Sequence, residues 1–185
     1  MGLSKVDFSD GWTIIRGGTF LSNFLAPVTK FMYPSLETEQ TITTALKPDY
    51  LASVLDPADI GVVATEMLTC DTAEWNEKWN GRCIPMAKEN LTMADIVGLM
   101  NAALEHASGK KHIQLIQVTE EEAKQRAAQG DMVVASQIFQ NQYMSAYSLE
   151  EVQSSGVDVR KMVSSGTFFD RAAARLLETV GEHKA

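Results

Sequence analysis

The spacing of apolar positions along this chain changes from segment to segment, and each change marks an element. Residues 12–16, Trp-Thr-Ile-Ile-Arg, are β-branched and aromatic, which predicts a short, mostly buried strand, and Gly17-Gly18 then breaks it. From Thr19 to Tyr33 the residues Phe20, Phe24, Phe31 and Tyr33 follow no clean period. This segment reads as loop or short helix whose aromatics either line a pocket or fill the core. Residues 41–46 and 50–55 are short β-type runs with Pro48-Asp49 as turn chemistry between them. Asp56-Pro57 opens the clearest amphipathic helix: Asp56 suits the N-cap, Pro57 the first helical position, and Ile60, Val63, Ala64, Met67 and Leu68 form its apolar stripe.

A polar stretch, 70–81, carries Trp75 and Trp79 four apart and ends in Asn80-Gly81, a turn signal before the strand-like residues 82–86. Thr92 and Asp95 make a capping-box pattern for a helix bearing Ile96, Leu99, Met100, Ala103 and Leu104, closed by Ser108-Gly109. Residues 113–118 alternate as a half-buried strand does. Thereafter Thr119-x-x-Glu122, Asp131, Ser148-x-x-Glu151 and Thr167-x-x-Asp170 each announce a helix, and Phe168, Phe169, Ala172, Ala173, Leu176, Leu177 and Val180 give the last one its stripe. The order predicts a single α/β domain over 1–185, with strands and a helix in 1–70 and a mostly helical portion over 71–185.

Composition narrows the partners. A chain of 185 residues that is 45% hydrophobic can bury a substantial core. Sixteen Lys and Arg against 24 Asp and Glu leave a net charge of -8, which withholds the attraction that nucleic acids and anionic membranes need. No run approaches the roughly 18 consecutive apolar residues of a membrane span, and the first ten residues carry no apolar signal core, so a cytoplasmic location is expected. Cys70 and Cys83 stand alone, and His106, His112 and His183 have no metal-ligand spacing and read as surface side chains. No metal site is expected.

The familiar catalytic motifs are missing: the sequence holds no Gly-x-Ser-x-Gly elbow, no His-Glu-x-x-His pair and no phosphate loop. Arg16-Gly17-Gly18 stands out, because ligands of doubly wound proteins bind at the carboxyl edge of the sheet. A plain tight turn explains the same residues, and both readings stand at this point.

These residues also carry a resemblance. Trp12-Thr-Ile-Ile-Arg-Gly-Gly-Thr-Phe-Leu-Ser-Asn23 resembles the "T-I-L-R-P-G-x-F-x-x-N" stretch of NmrA-like proteins, atypical members of the short-chain dehydrogenase/reductase superfamily. Asp59-Ile60-Gly61 is similar to their "D-I-G" element, and Gly81 to Met86 followed by Leu91-Thr-Met-Ala-Asp-Ile96 to the segment after it. Thr119-Glu-Glu-Glu-Ala123 and the tail with Phe139, Tyr143 and Ser155-Gly156-Val157 extend the likeness through nearly the whole chain. It corresponds to the carboxyl-terminal portion of a typical member. Eleven residues precede Trp12, fewer than the roughly thirty of a phosphate-binding βα unit, so the nucleotide-binding half is expected to be absent and the chain truncated. Gly17 stands where relatives carry Pro, and no Gly-x-x-Gly-x-x-Gly or Tyr-x-x-x-Lys occurs.

The resemblance implies a partial Rossmann-like sheet with a helical substrate-covering subdomain and, by kinship, an NAD(P)-dependent oxidoreductase acting on a small molecule in secondary metabolism. Gly17, Gly18, Thr19, Phe20 and Asn23 would then face the cofactor. Two other functions fit the same residues. One is a cofactor-free cyclase or isomerase with an apolar pocket, its proton-transfer candidates being Tyr33, Tyr143 and Asp59. The other is a non-catalytic regulator or subunit. Losing the first strands of a parallel sheet bares an edge, where a second copy of the chain or another protein is expected to pair.

Overall fold

The computed structural model describes residues 11–109 and 112–181. The first ten residues and His183, to which sequence expectations attach, lie outside them. Strand β1 (Thr13–Gly17) runs parallel to β5 (Arg82–Met86), Thr13 level with Arg82 and Gly17 with Met86. Two residues later β2 (Thr19–Phe20) pairs in parallel with β4 (Ala52–Leu55), and β4 pairs on its other side, antiparallel, with β6 (Glu89–Leu91). A third parallel pair joins β3 (Thr41–Thr44) to β7 (Gln114–Gln117).

Gly17-Gly18 is not a tight turn. Gly18 N–H donates to the Met86 carbonyl at 3.1 Å and ends the ladder with β5, and the next residue joins the ladder with β4. The chain thus exchanges one strand partner for another at a single residue. An ideal Cβ on Gly18 would fall inside the van der Waals shell of the Ser53 carbonyl, so glycine is required by the close approach of β4. β1 is half-buried rather than mostly buried, because β5 is its one ladder neighbour among the described residues.

Helix α1 (Thr29–Met32) and helix α2 (Ser35–Glu39) are short turns between β2 and β3. Leu21 to Phe24 form a 3₁₀ turn, and Leu21, Phe24 and Leu25 are fully buried with Phe24 stacked on Tyr33 at 5.1 Å. The aromatic segment therefore fills the core, and Phe31 alone of its rings is largely exposed. Helix α3 (Pro57–Thr69) starts as its sequence announces, the Asp56 carboxylate accepting from Ala58 N–H at 2.9 Å. Its buried face is Asp59, Val63 and Met67; Val63 and Met67 belong to the expected stripe, Ile60 and Ala64 are half-buried at its edge, and Leu68 is 85% exposed.

The stretch after α3 holds α4 (Thr72–Glu74) and a π-helical turn, Trp75–Trp79. Trp79 is fully buried in a second core with Leu55, Ile84 and Val152, inside a segment that read as polar. The capping box at Thr92 and Asp95 is present and opens α5 (Met93–Ser108), the central helix of the main core. Helices α6 (Glu120–Ala128), α7 (Met132–Tyr143) and α8 (Leu149–Ser154) begin at Thr119, Asp131 and Ser148 as the spacing predicts.

The last helix does not begin at Thr167. Ser164 caps α9 (Ser165–Arg171) by accepting from Thr167 N–H, so Thr167 is the donor rather than the cap. The predicted single stripe is divided at Ala172 between α9 and α10 (Ala173–Thr179), and Phe169, Leu176 and Leu177 enter the main core.

Candidate functional site

Two cavities, of about 450 Å³ and 440 Å³, meet at Gly18, Thr19, Ala52 and Gln140. They form one groove beyond the carboxyl end of β1, where the chain changes strand partner. This is the edge at which an α/β sheet presents ligands. The floor comes from Gly18, Thr19 and the start of β4, and one wall from α7 and the connection to α8.

That wall is held by hydrogen bonds that side chains make to backbone. On α7, Gln137 accepts from Ala45 N–H at 2.8 Å, and Asn141 accepts from Lys47 N–H at 2.9 Å while donating to the Ala45 carbonyl at 2.7 Å. Farther along, the Ser53 hydroxyl accepts from Tyr147 N–H at 2.8 Å and donates to Asn90, whose amide donates to the Tyr147 carbonyl at 2.8 Å. Strands β4 and β6 thereby fix the loop that carries Tyr147.

In the larger cavity the Arg16 guanidinium lies over the Tyr147 ring, 5.4 Å from its centroid, and Tyr50, Tyr143 and Glu151 complete the chemical groups. Hydrogen bonds from Ser148 hold the Glu151 carboxyl below its usual range, with a smaller contribution from the Arg16 charge, so Glu151 is ionised at neutral pH. The smaller cavity is more apolar, with Met32, Leu46, Met93 and Ile96 beside Asn23 and Tyr33. Burial pushes the Tyr33 phenol far above its ordinary value, which keeps it neutral and weakens it as a proton donor.

The sequence candidates therefore divide. Gly17, Gly18, Thr19, Asn23, Tyr33 and Tyr143 all border the groove. Phe20 borders neither cavity, because its ring turns into the second core and packs against the site of Gly17's missing side chain. Asp59 also lies apart: it is 4% exposed and accepts from Val163 N–H at 3.3 Å and 3.2 Å, tying α3 to the segment before α9. Burial raises its pKa and this hydrogen bond partly offsets the rise. Sequence reasoning missed Tyr147, Gln140 and Ser53. Tyr147 falls four residues after Tyr143, but α7 ends between them, so helical spacing could not have placed the pair on one wall.

Among the described residues no glycine-rich strand-turn-helix is present, no group of side chains could hold a metal ion, and no helix is long and apolar enough to cross a membrane. Thr19 and Asn23 offer hydrogen bonds beside an apolar surface, which fits the planar carboxamide end of a nicotinamide cofactor and not its pyrophosphate.

No curated protein matches the chain. Among solved structures, NmrA, a negative transcriptional regulator in complex with NADP, aligns with a TM-score of 0.55 at 16% identity, over 92% of this chain and 55% of its own. The same regulator in complex with NAD gives 0.55 at 15%, over 92% and 54%. A nucleoside-diphosphate-sugar epimerase from Staphylococcus aureus gives 0.56 at 13%, over 86% and 52%. The chain spans about half the length of these proteins, and at such identities the likeness is one of fold. Residues 8–166 match the NmrA-like family, so the chain, with its strand-partner change at Gly18 and its groove at the sheet edge, belongs to that family.

Proposed function

We propose that this chain provides the substrate wall of an NAD(P)-linked oxidoreductase acting on a small molecule of the secondary-metabolite type. The meeting of both cavities at Gly18-Thr19, on the ligand edge of an NmrA-like fold, carries the proposal. NADP and NAD in complex with NmrA lend it support. A bound nicotinamide would supply hydride transfer; Thr19 and Asn23 would hold its carboxamide, and Gln140 and the tyrosines would orient the substrate.

One observation favours a second reading, a regulator that binds without turnover. Tyr50, Tyr143 and Tyr147 border the groove, yet among the described residues no Lys or His joins them there as a proton-relay partner.

Titration calorimetry with NADPH tests binding, and following its oxidation with carbonyl substrates separates the two readings. A saturable heat is expected. Asn23→Ala should weaken it by about tenfold, the effect of one lost hydrogen bond, and Asp59→Asn should leave it unchanged because Asp59 lies outside the groove. A flat titration at millimolar NADPH overturns the cofactor-linked proposal; binding without oxidation selects the regulator.

A further inference from the structure

We propose that Arg16 anchors an anionic oxygen group, carboxylate or phosphate, of a planar aromatic ligand seated in the larger cavity. The inference rests on the groove being a ligand site and names the class of ligand it takes. Arg82 and Arg175 donate to backbone carbonyls, and Arg126 and Arg160 pair with carboxylates. Arg171 and Arg16, by contrast, make no hydrogen bond and no ion pair among the described residues, and of these two only Arg16 borders the groove. Its partner is the Tyr147 ring.

Cation–π attraction holds the guanidinium over the ring without giving its N–H groups an oxygen acceptor, so they remain available to meet a planar oxyanion in two parallel hydrogen bonds. Arg16 borders a cavity of about 450 Å³ and is the one cation among the described residues that do so. Among the described residues Glu151 is the one carboxylate there, and it makes no salt bridge with Arg16: it accepts from Ser148 N–H at 2.8 Å in the α8 capping box, and the Arg16 charge reaches it only as a smaller contribution. The backbone of Tyr147, which carries the ring under Arg16, is fixed through Ser53 and Asn90, which limits the reorganisation left to ligand binding. Tyr50, Tyr143 and Tyr147 supply ring surfaces around the same space, which suits an aromatic body better than an aliphatic one.

The test compares 4-hydroxybenzoate, phenyl phosphate and the neutral methyl ester of 4-hydroxybenzoate by calorimetric titration of the intact chain. The acid or the phosphate is expected to bind at least about tenfold more tightly than the ester. Arg16→Gln should erase that preference while leaving the affinity for the ester within about twofold, and Arg16→Lys should restore part of it. Arg16 is exposed, so thermal melts of both variants should overlay that of the parent protein. Competition identifies the source of the anion: displacement of 4-hydroxybenzoate by NADP⁺ assigns it to the dinucleotide, and joint binding assigns it to the substrate. Equal affinities for acid, phosphate and ester, no binding of either anion at millimolar concentration, or a preference that survives in Arg16→Gln, each overturns the proposal. Acid preference without any NADPH heat would instead overturn the cofactor-linked function and leave the Arg16 anchor standing.

Discussion

Gly18 shows how much a single residue can decide. Any side chain there meets the Ser53 carbonyl, backbone that has no rotamer through which to escape. Gly18→Ala is expected to destabilise the chain by about 1–3 kcal/mol, the range for overpacking a tight site. Gly98, inside α5 with nothing near its missing Cβ, should respond in the opposite sense, Gly98→Ala stabilising by up to about 1 kcal/mol. Urea unfolding of the pair measures both signs. The sequence marked residues 16–18 as unusual, yet it left turn and ligand edge unresolved, because the demand for glycine comes from Ser53, thirty-five positions away in the chain. Asp59 escaped for the same reason: the partner that draws its carboxylate inward is Val163 N–H, on a distant segment.

At the scale of elements the starts of helices were legible because capping is local. Asp56, Thr92, Thr119, Asp131 and Ser148 each accept the backbone N–H that their spacing predicts. The exception is informative. Ser164 and Thr167 both have cap-forming hydroxyls, and a sequence pattern cannot choose between them; in the folded chain Ser164 takes the role and Gly166 lies in the first turn. Ser164→Ala should therefore cost about 1 kcal/mol, and Asp170→Ala, which removes the expected but unformed box, only a few tenths. Chemical denaturation with both variants decides between the two starts. Strand order was not legible, because partners such as Gly17 and Met86 are brought together by the whole intervening fold. The three-residue β6 and the buried Trp79 were invisible to periodicity for a simpler reason: one segment is too short to show a period, and the other buries its ring from within a polar stretch.

For the whole molecule, two larger cores and a smaller one under α6 and α7 surround the groove, and Tyr33 joins the largest of them to the smaller cavity. Its buried phenol makes stability depend on pH in one direction. Tyrosines of the unfolded chain release their protons near pH 10, whereas Tyr33 in the folded chain retains its own well above that. The unfolded state therefore binds fewer protons as the pH passes 10. Stability contributed by the neutral phenol is complete below that point and falls by about 1.4 kcal/mol per pH unit above it. Tyr33→Phe should remove this share of the slope, which unfolding curves of both proteins between pH 9 and about 11 will show.

The change of partner at Gly18 also constrains the birth of the protein. When residues 13–20 leave the ribosome, neither β4 nor β5 has been made, and Gly17 waits for Met86. At ordinary elongation rates of ~5–20 residues per second, that interval lasts roughly three to fourteen seconds. For that time the segment has no ladder to join, and the backbone N–H and C=O groups that later pair with β4 and β5 stay bonded to water.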